Sequence, residues 1–501
     1  MLIDAELLLN YQRCSRRAFL DQHGDLAQRD PPSDYVLKLI QDSQANQRLV
    51  LENYTVLFPA HVGGDWAAAA VSTIELMRQG VECIWQGVVL TEISEGVTLR
   101  SHPDLLIKRP GVSIFGDWLY EPIDIKLGKR PKLEYQILAA FHVYVLAQVQ
   151  GGWPETATLI LRERGDYLVD LWQVLPAMQE ILDDCIRTLQ RKEEPEVFIS
   201  RNRCSLCHWF SHCYEVAKTD FHLSLLPGVT PVRYQQLQAL NLTTVEALAN
   251  MNPVALTPLA GFGPEVAHKL VRQARSVVQN QAILATETLD LELTYWSSQR
   301  WSYTTFPTNE LPTSSVELYF DIEAEPSLKL VYLHGVLVVD RVAKTEVFHS
   351  FVAESPAAEP LVWQQFLDLV WAYPHAPIFH FCPFEVQTVE RLANLYKTPR
   401  HQIQPLLTRF IDLHERVTRY VTLPVESYAL KHIARWLGFD WRTPSANGAQ
   451  SIYWYAQWLS TGDRSYLEAI LTYNEDDCRA TYRVKEWLVQ FLQGSLHVAL
   501  A

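Results

Sequence analysis

The sequence predicts a multidomain α/β protein, and three observations carry that expectation. The chain has 501 residues, more than one hydrophobic core ordinarily organises. Two stretches, 1–220 and 315–501, each mix strand-like runs with helical apolar periodicity. Between them, 221–280 reads as short helices broken by glycine and proline, and 281–314 as a polar linker dotted with aromatics around Trp296 and Trp301.

Composition narrows the classes. Hydrophobic residues are 48% and charged residues 20% of the chain, the balance of a folded rather than a disordered protein. A formal charge of −14 argues against coating nucleic acid with a generally basic surface, although a local basic channel is compatible with it. The start, Met1-Leu-Ile-Asp-Ala-Glu, has no basic n-region, and no run of about 18 apolar residues follows, so a cytoplasmic protein without membrane contact is expected. In that setting clustered members of the eight cysteines suit metal ligation or catalysis better than disulfides, and Cys83, Cys185, Cys382 and Cys478 read as small core residues.

In 1–220, Val97-Thr-Leu-Arg and Trp118-Leu-Tyr-Glu-Pro-Ile-Asp-Ile-Lys read as strands. Strand side chains alternate, so Asp124 and Lys126 share a face. Asp104, in His102-Pro-Asp-Leu-Leu-Ile, stands at the end of a strand that suits a hairpin partner, which would bring the two carboxylates together. Two carboxylates can hold Mg²⁺ or Mn²⁺, and a lysine beside them can orient water or stabilise charge on a phosphate. Lys129, Arg130 and Lys132 follow as phosphate-neutralising charge, then a helix near Glu134-Tyr135-Gln136. Asp-x-Lys is common, so a surface hairpin with incidental charges is the competing reading.

The second cluster is Cys204-Ser-Leu-Cys207-His-Trp-Phe-Ser-His-Cys213, three thiols flanked by His208 and His212, with Cys14 far away near the start. Four cysteines can hold a cubane iron–sulfur cluster or a tetrahedral zinc. Together, the early cysteine, the acid, the Asp-x-Lys strand, the Gln-bearing helix and the late triplet resemble the iron–sulfur members of the RecB-like PD-(D/E)xK nucleases, including those of CRISPR adaptation. The resemblance covers about 1–216 and implies a restriction-endonuclease-like domain. It implies Asp104 and Asp124 as metal ligands, Lys126 as the catalytic lysine and Gln136 in support. Cys14, Cys204, Cys207 and Cys213 become ligands of a 4Fe-4S cluster, with Zn²⁺ the alternative. The sequence departs from the family where an early helix often supplies a His: Leu51 stands there, with Glu52 as the substitute ligand. Ala140 stands where a Tyr often follows the Gln.

In 221–280, Pro227-Gly-Val and Gly261-Phe-Gly263-Pro-Glu-Val-Ala resemble tandem helix-hairpin-helix elements, whose turns let backbone N–H groups approach a phosphate. Gly261, Gly263 and Lys269 are the nucleic-acid-binding candidates, with Arg272 and Arg275 adding charge. A plain helical spacer explains the punctuation almost as well.

The C-terminal stretch opens with Leu318-Tyr-Phe-Asp-Ile-Glu, which sets Asp321 and Glu323 on one face of an apolar strand, a costly placement unless cations compensate. In Tyr473-Asn-Glu-Asp-Asp, Tyr473 and Asp477 share a helix face, and Asp476 competes with Asp477 for a ligand role. Ile378-Phe-His-Phe-Cys-Pro-Phe-Glu385 is a strand with an acid at the next helix start. These residues resemble the ribonuclease H-like 3′–5′ exonuclease superfamily in its tyrosine-bearing DEDD form, over about 315–493, with Glu385 where most members have Asp. The resemblance implies metal ligation by Asp321, Glu323, Glu385 and Asp477 and water positioning by Tyr473. The whole chain is expected to be a Mg²⁺- or Mn²⁺-dependent nuclease with nucleic acid as its partner, acting on single-stranded or branched DNA. The alternatives are a binding scaffold with one or both sites inactive, and an RNA-processing nuclease.

Overall fold

The computed structural model describes residues 1–60, 64–285, 310–326 and 328–499. The chain divides into two compact units, Met1–Val216 and Ala217–Ala501. No described helix is long and apolar enough to cross a membrane.

The first unit holds two sheets. Strands β1 (Leu2–Asp4), β3 (Val89–Ser94) and β4 (Val97–Ser101) form one, in the order β1-β4-β3. Strands β2 (Cys83–Trp85), β5 (Leu105–Ser113), β6 (Gly116–Lys126), β7 (Thr158–Leu161) and β8 (Gly165–Leu168) form the other, in chain order. β5 and β6 make the expected hairpin, and their antiparallel register, Leu105↔Ile123, sets Asp104 alongside Asp124. Helix Leu133–Gln150 is apolar nearly all round because it is covered on every side. Ile137, Ala140, Phe141 and Val143 pack with Leu99, Tyr120 and Leu159 of the sheets, and with Met178 and Leu182 of helix Leu171–Arg191.

The second unit begins with short helices, Pro231–Ala239, Val245–Ala249 and Pro264–Gln279, separated by turns in which Gly228 (φ +91°) and Gly261 (φ +79°) adopt the left-handed conformation open to glycine. Helix Pro264–Gln279 buries Ala267, Leu270, Val271 and Ala274. Its Gln273 Nε2 donates to Leu423 O at 2.6 Å, and β9 (Ile283–Leu284) pairs antiparallel with β15 (Val421–Thr422). The helical segment is thereby stitched to the sheet domain that follows, and the start of the expected linker is a strand. Residues 286–309, with Trp296 and Trp301, lie outside the described residues.

That domain is built on five strands in the order β12-β11-β10-β13-β14: β10 (Val316–Glu325), β11 (Leu330–Asp340), β12 (Thr345–Val352), β13 (Ile378–His380) and β14 (Phe410–Asp412). β10, β11 and β12 are antiparallel; β13 and β14 continue parallel to β10. β10 separates two cores by its alternation. Leu318, Phe320 and Ile322 pack with Trp363 and Phe366 of helix Glu359–Ala372. Tyr319 faces the other way, with Ala480, Val484 and Leu488 of the long helix Arg464–Ala499. Asp321 and Glu323 share the face of Tyr319 and meet that helix.

Candidate active site

One oxygen each from Asp321, Glu323 and Asp477 gathers within 4.8 Å of the others. Asp321 and Glu323 come from β10, whose register shifts just after Glu323. Asp477 comes from helix Arg464–Ala499, one turn beyond Tyr473, and the two side chains are hydrogen-bonded. Trp441 Nε1 donates to Asp477 Oδ1 at 2.7 Å. Asp476 is turned away: Arg442 donates to it from Nε at 2.8 Å and from its backbone N–H at 2.9 Å. Of the adjacent pair, Asp477 therefore joins the site.

Asn474, fully buried, donates from Nδ2 to Asp321 Oδ2 at 2.6 Å. It fits because Gly335 stands opposite Asp321 on β11; a Cβ there would lie 1.7 Å from Asn474 Oδ1. A lone glycine in the largely apolar run Leu330–Val339 is the sequence signal for such a close approach.

Burial, then repulsion from Asp477, pushes the Asp321 and Glu323 carboxyls well above their usual range; burial pushes Asp477 up to about 7. Among the described residues, no cation lies within ion-pair distance of these three. Glu385, at the start of helix Phe384–Leu395, is buried beside them, and Asp321 feels its charge. Its Oε2 has no hydrogen-bond partner and stands 3.4 Å from His380 Nδ1, which is itself bonded to Cys382 O. Buried, uncompensated carboxylates with an orphaned oxygen are a hard-oxygen donor set that fits Mg²⁺ or Mn²⁺.

In the first unit, Lys126 Nζ lies 3.0 Å from Asp124 Oδ2. Asp104 Oδ2 accepts from the Ile125 N–H at 2.6 Å, and its Oδ1 accepts from Gln47 Nε2 at 2.8 Å. Burial and the neighbouring Asp124 push Asp104 up to about 7. Burial would raise Asp124 too, but Lys126 holds it below its ordinary value. His142, bonded to Ser101 Oγ at 2.8 Å, stands 3.6 Å from Asp124, and burial lowers it to about 4, so it is neutral at pH 7. Glu52 is exposed at the end of helix Asp34–Leu51; the residue of that helix that reaches Asp104 is Gln47. Gln136 donates to Pro131 O at 2.8 Å and so fastens the loop that carries exposed Lys129, Arg130 and Lys132. Lys129 pairs with Glu163 at 2.8 Å.

Cys14, Cys204, Cys207 and Cys213 line one cavity of about 560 Å³ together with Arg13, Arg16 and Arg17. Ser200 N–H and Trp209 N–H donate to Cys204 Sγ and Cys207 Sγ at 3.3 and 3.5 Å. His208 is engaged elsewhere, 2.6 Å from Asp21. Cys83, Cys185 and Cys478 are buried as expected, but Cys382 is half-buried in a left-handed conformation (φ +81°), with its N–H held by Asp412 at 3.0 Å. It still packs against the core around Tyr319 and Phe379, and the turn adds a backbone role.

Gly263 heads helix Pro264–Gln279 without a side-chain cap, and Lys269 is exposed. Arg233 straps the two glycine turns together, donating to Gly261 O at 2.7 Å and Gly228 O at 2.6 Å. Arg272 and Arg275 donate to Thr422 Oγ1 at 2.7 Å and Ala249 O at 2.8 Å and so help anchor the helix, while Arg275 remains exposed.

Gln47, His142, Trp441 and Asn474 are additions that spacing did not reveal, because each reaches its carboxylate from another element. No curated protein matches the chain. A protein-family model described as the RNase_H superfamily matches residues 318–489, the stretch that contains Asp321, Glu323, Glu385, Tyr473 and Asp477. The C-terminal domain is thus RNase H-like, and the match supports a nuclease-type function.

Proposed function

We propose that this chain is a metal-dependent nuclease that cuts DNA, single-stranded or branched, and that its C-terminal domain works as a 3′–5′ exonuclease. The observation that carries the reading is the buried Asp321–Glu323–Asp477 group with Tyr473 bonded to one of its members. Mg²⁺ or Mn²⁺ held by these carboxylates, with Glu385 beside them, would supply Lewis-acid activation and neutralise charge on the phosphate. Tyr473 is held by Asp477, and its oxygen is free to position the attacking water. Asn474 and Trp441 keep Asp321 and Asp477 from turning away before substrate arrives.

For the first unit the proposal is a RecB-like site of Asp104, Asp124 and Lys126, supported by Gln136, with Cys14, Cys204, Cys207 and Cys213 around a 4Fe-4S cluster. The four cysteines line one cavity with Arg13, Arg16 and Arg17, which supports a shared metal centre there; a tetrahedral zinc is the alternative to the cubane. A second reading, binding without cleavage, is favoured for this unit by Asp104, both of whose oxygens already accept hydrogen bonds.

The test offers the full chain 3′-labelled single-stranded DNA, duplex DNA and RNA with Mg²⁺ or Mn²⁺. Preferential loss of label from single-stranded DNA supports the proposal. Preferential loss from RNA moves it to RNA processing, and cleavage of none leaves a binding scaffold.

A further inference from the structure

Lys431 lies on helix Leu430–Trp436, at the edge of the carboxylate group. Its Nζ stands 5.2 Å from the centre of the Trp441 ring and 5.4 Å from that of Tyr473. These are the two aromatic residues that hydrogen-bond Asp477. Lys431 is half-buried and forms no ion pair within 4 Å among the described residues. Neighbouring cations are spoken for: Arg435 donates to Pro444 O at 3.0 Å, and Arg442 is held by Glu475 and Asp476.

A lysine placed to neutralise Asp477 would pair with it directly. Here two rings hold the ammonium beyond ion-pair reach, with its N–H donors facing no acceptor among the described residues. Burial lowers its hold on the proton, and the charge of Asp477 restores part of it. The site as a whole has the opposite problem: several buried carboxylates repel a polyanion. A fixed ammonium beside them offsets that repulsion where the chain of phosphates passes the metal ligands.

We propose that Lys431 is a substrate-contact residue that donates to a non-bridging oxygen of a backbone phosphate flanking the one being cut. The inference rests on the nuclease reading of the site and adds to it a cation outside the metal-ligand set. It makes the site one for a polymer of phosphodiesters rather than for a small phosphate ester, because the flanking phosphate is what Lys431 recognises.

The test compares the full chain with Lys431→Met and Lys431→Arg. Equilibrium anisotropy of a 3′-labelled single-stranded oligonucleotide is measured with Ca²⁺ across a salt series, and hydrolysis with Mn²⁺ runs in parallel. Lys431→Met is expected to weaken binding about ten-fold at low salt, the effect of removing one charge-assisted hydrogen bond. It should also flatten the slope of log affinity against log salt by about 0.7, the signature of one phosphate contact on a single strand. Lys431→Arg should retain most of both. In hydrolysis the Met variant should raise KM and leave kcat within about two-fold, with Mn²⁺ affinity unchanged. An unchanged salt slope in Lys431→Met overturns the proposal, even if the variant melts earlier, because a packing role would lower stability alone. A parent chain that binds but does not cut defeats the nuclease reading, while the slope still decides Lys431. A parent that does not bind defeats both.

Discussion

Gly335→Ala isolates the contact on which the acid site depends. Its backbone lies outside the left-handed region, so alanine meets no strain there and by chain entropy alone would stabilise by about 0.4–1 kcal/mol. The structure reverses that sign. The added Cβ would stand 1.7 Å from Asn474 Oδ1, 2.8 Å from its Cγ and 3.0 Å from Phe348 Cε2. Ordinary contact is about 3.5–4.0 Å, so the Asn474 amide must retreat by roughly 2 Å. Doing so breaks its bond to Asp321, a hydrogen bond to a charged group worth about 1.5–3 kcal/mol, and overpacking adds about 1–3 kcal/mol. The net expectation is a destabilisation of about 2–5 kcal/mol. Scanning calorimetry should show this as a fall of at least about 5 °C in the transition of the second unit. Mn²⁺ titration should show weaker binding. Asn474→Ala removes the obstructing amide, so Gly335→Ala should cost much less in that background, a coupling of more than about 1 kcal/mol. A Gly335→Ala protein with parental Tm and Mn²⁺ affinity, or strictly additive variants, would refute the reasoning.

Three further expectations follow from the buried charges and thiols. His334 is stacked on Phe366, with neither ring nitrogen hydrogen-bonded, and burial lowers it to about 3. Its folded value lies below the unfolded one, near 6.5, so its contribution is intact above pH ~6.5 and is lost as pH falls towards 3. The stability of His334→Phe relative to the parent should accordingly rise by about 2 kcal/mol between pH 7 and pH 5, read by chemical denaturation at both; no change would show that the ring is solvated. Lys126→Met strands the buried Asp124 carboxylate and should destabilise the first unit by about 3 kcal/mol, whereas Asp124→Asn with Lys126 retained should cost less; equal melting of parent and Lys126→Met contradicts the pairing. Anaerobically purified protein should be brown and contain iron and labile sulfide, and Cys14→Ala should lose most of both; stoichiometric zinc without iron, or unchanged iron in the variant, excludes the assignment.

What was legible in the sequence follows from periodicity. The two-residue repeat of β10 placed Asp321 and Glu323 on one face, and the four-residue step placed Tyr473 and Asp477 on one face of a helix; both hold in the structure. The Asp104–Asp124 approach was legible for the same reason, since a hairpin joins neighbouring strands. Choices set by distant residues were not. Asp477 prevails over Asp476 because Arg442 captures the latter. Gln47 rather than Glu52 meets Asp104 because the helix turns the end residue to solvent. Arg272 and Arg275 read in sequence only as added charge, whereas in the fold Thr422 and Ala249, from other elements, accept their hydrogen bonds. Asn474 sits within the Tyr473–Asp477 string, yet its role depends on a missing side chain at Gly335.

Hydrolysis of a 3′-labelled single-stranded oligonucleotide by the full chain with Mn²⁺, compared with Asp321→Asn, tests the carboxylate site most directly. The variant keeps the shape of the side chain but removes a charge from the three-carboxylate group. The parent should release label as mononucleotide, and Asp321→Asn should be slower by at least about 10²-fold, the loss expected when a charge-stabilising group is removed from a reacting site. An Asp321→Asn protein that releases label as fast as its parent would contradict the account, because the cutting would then be done by residues other than these carboxylates.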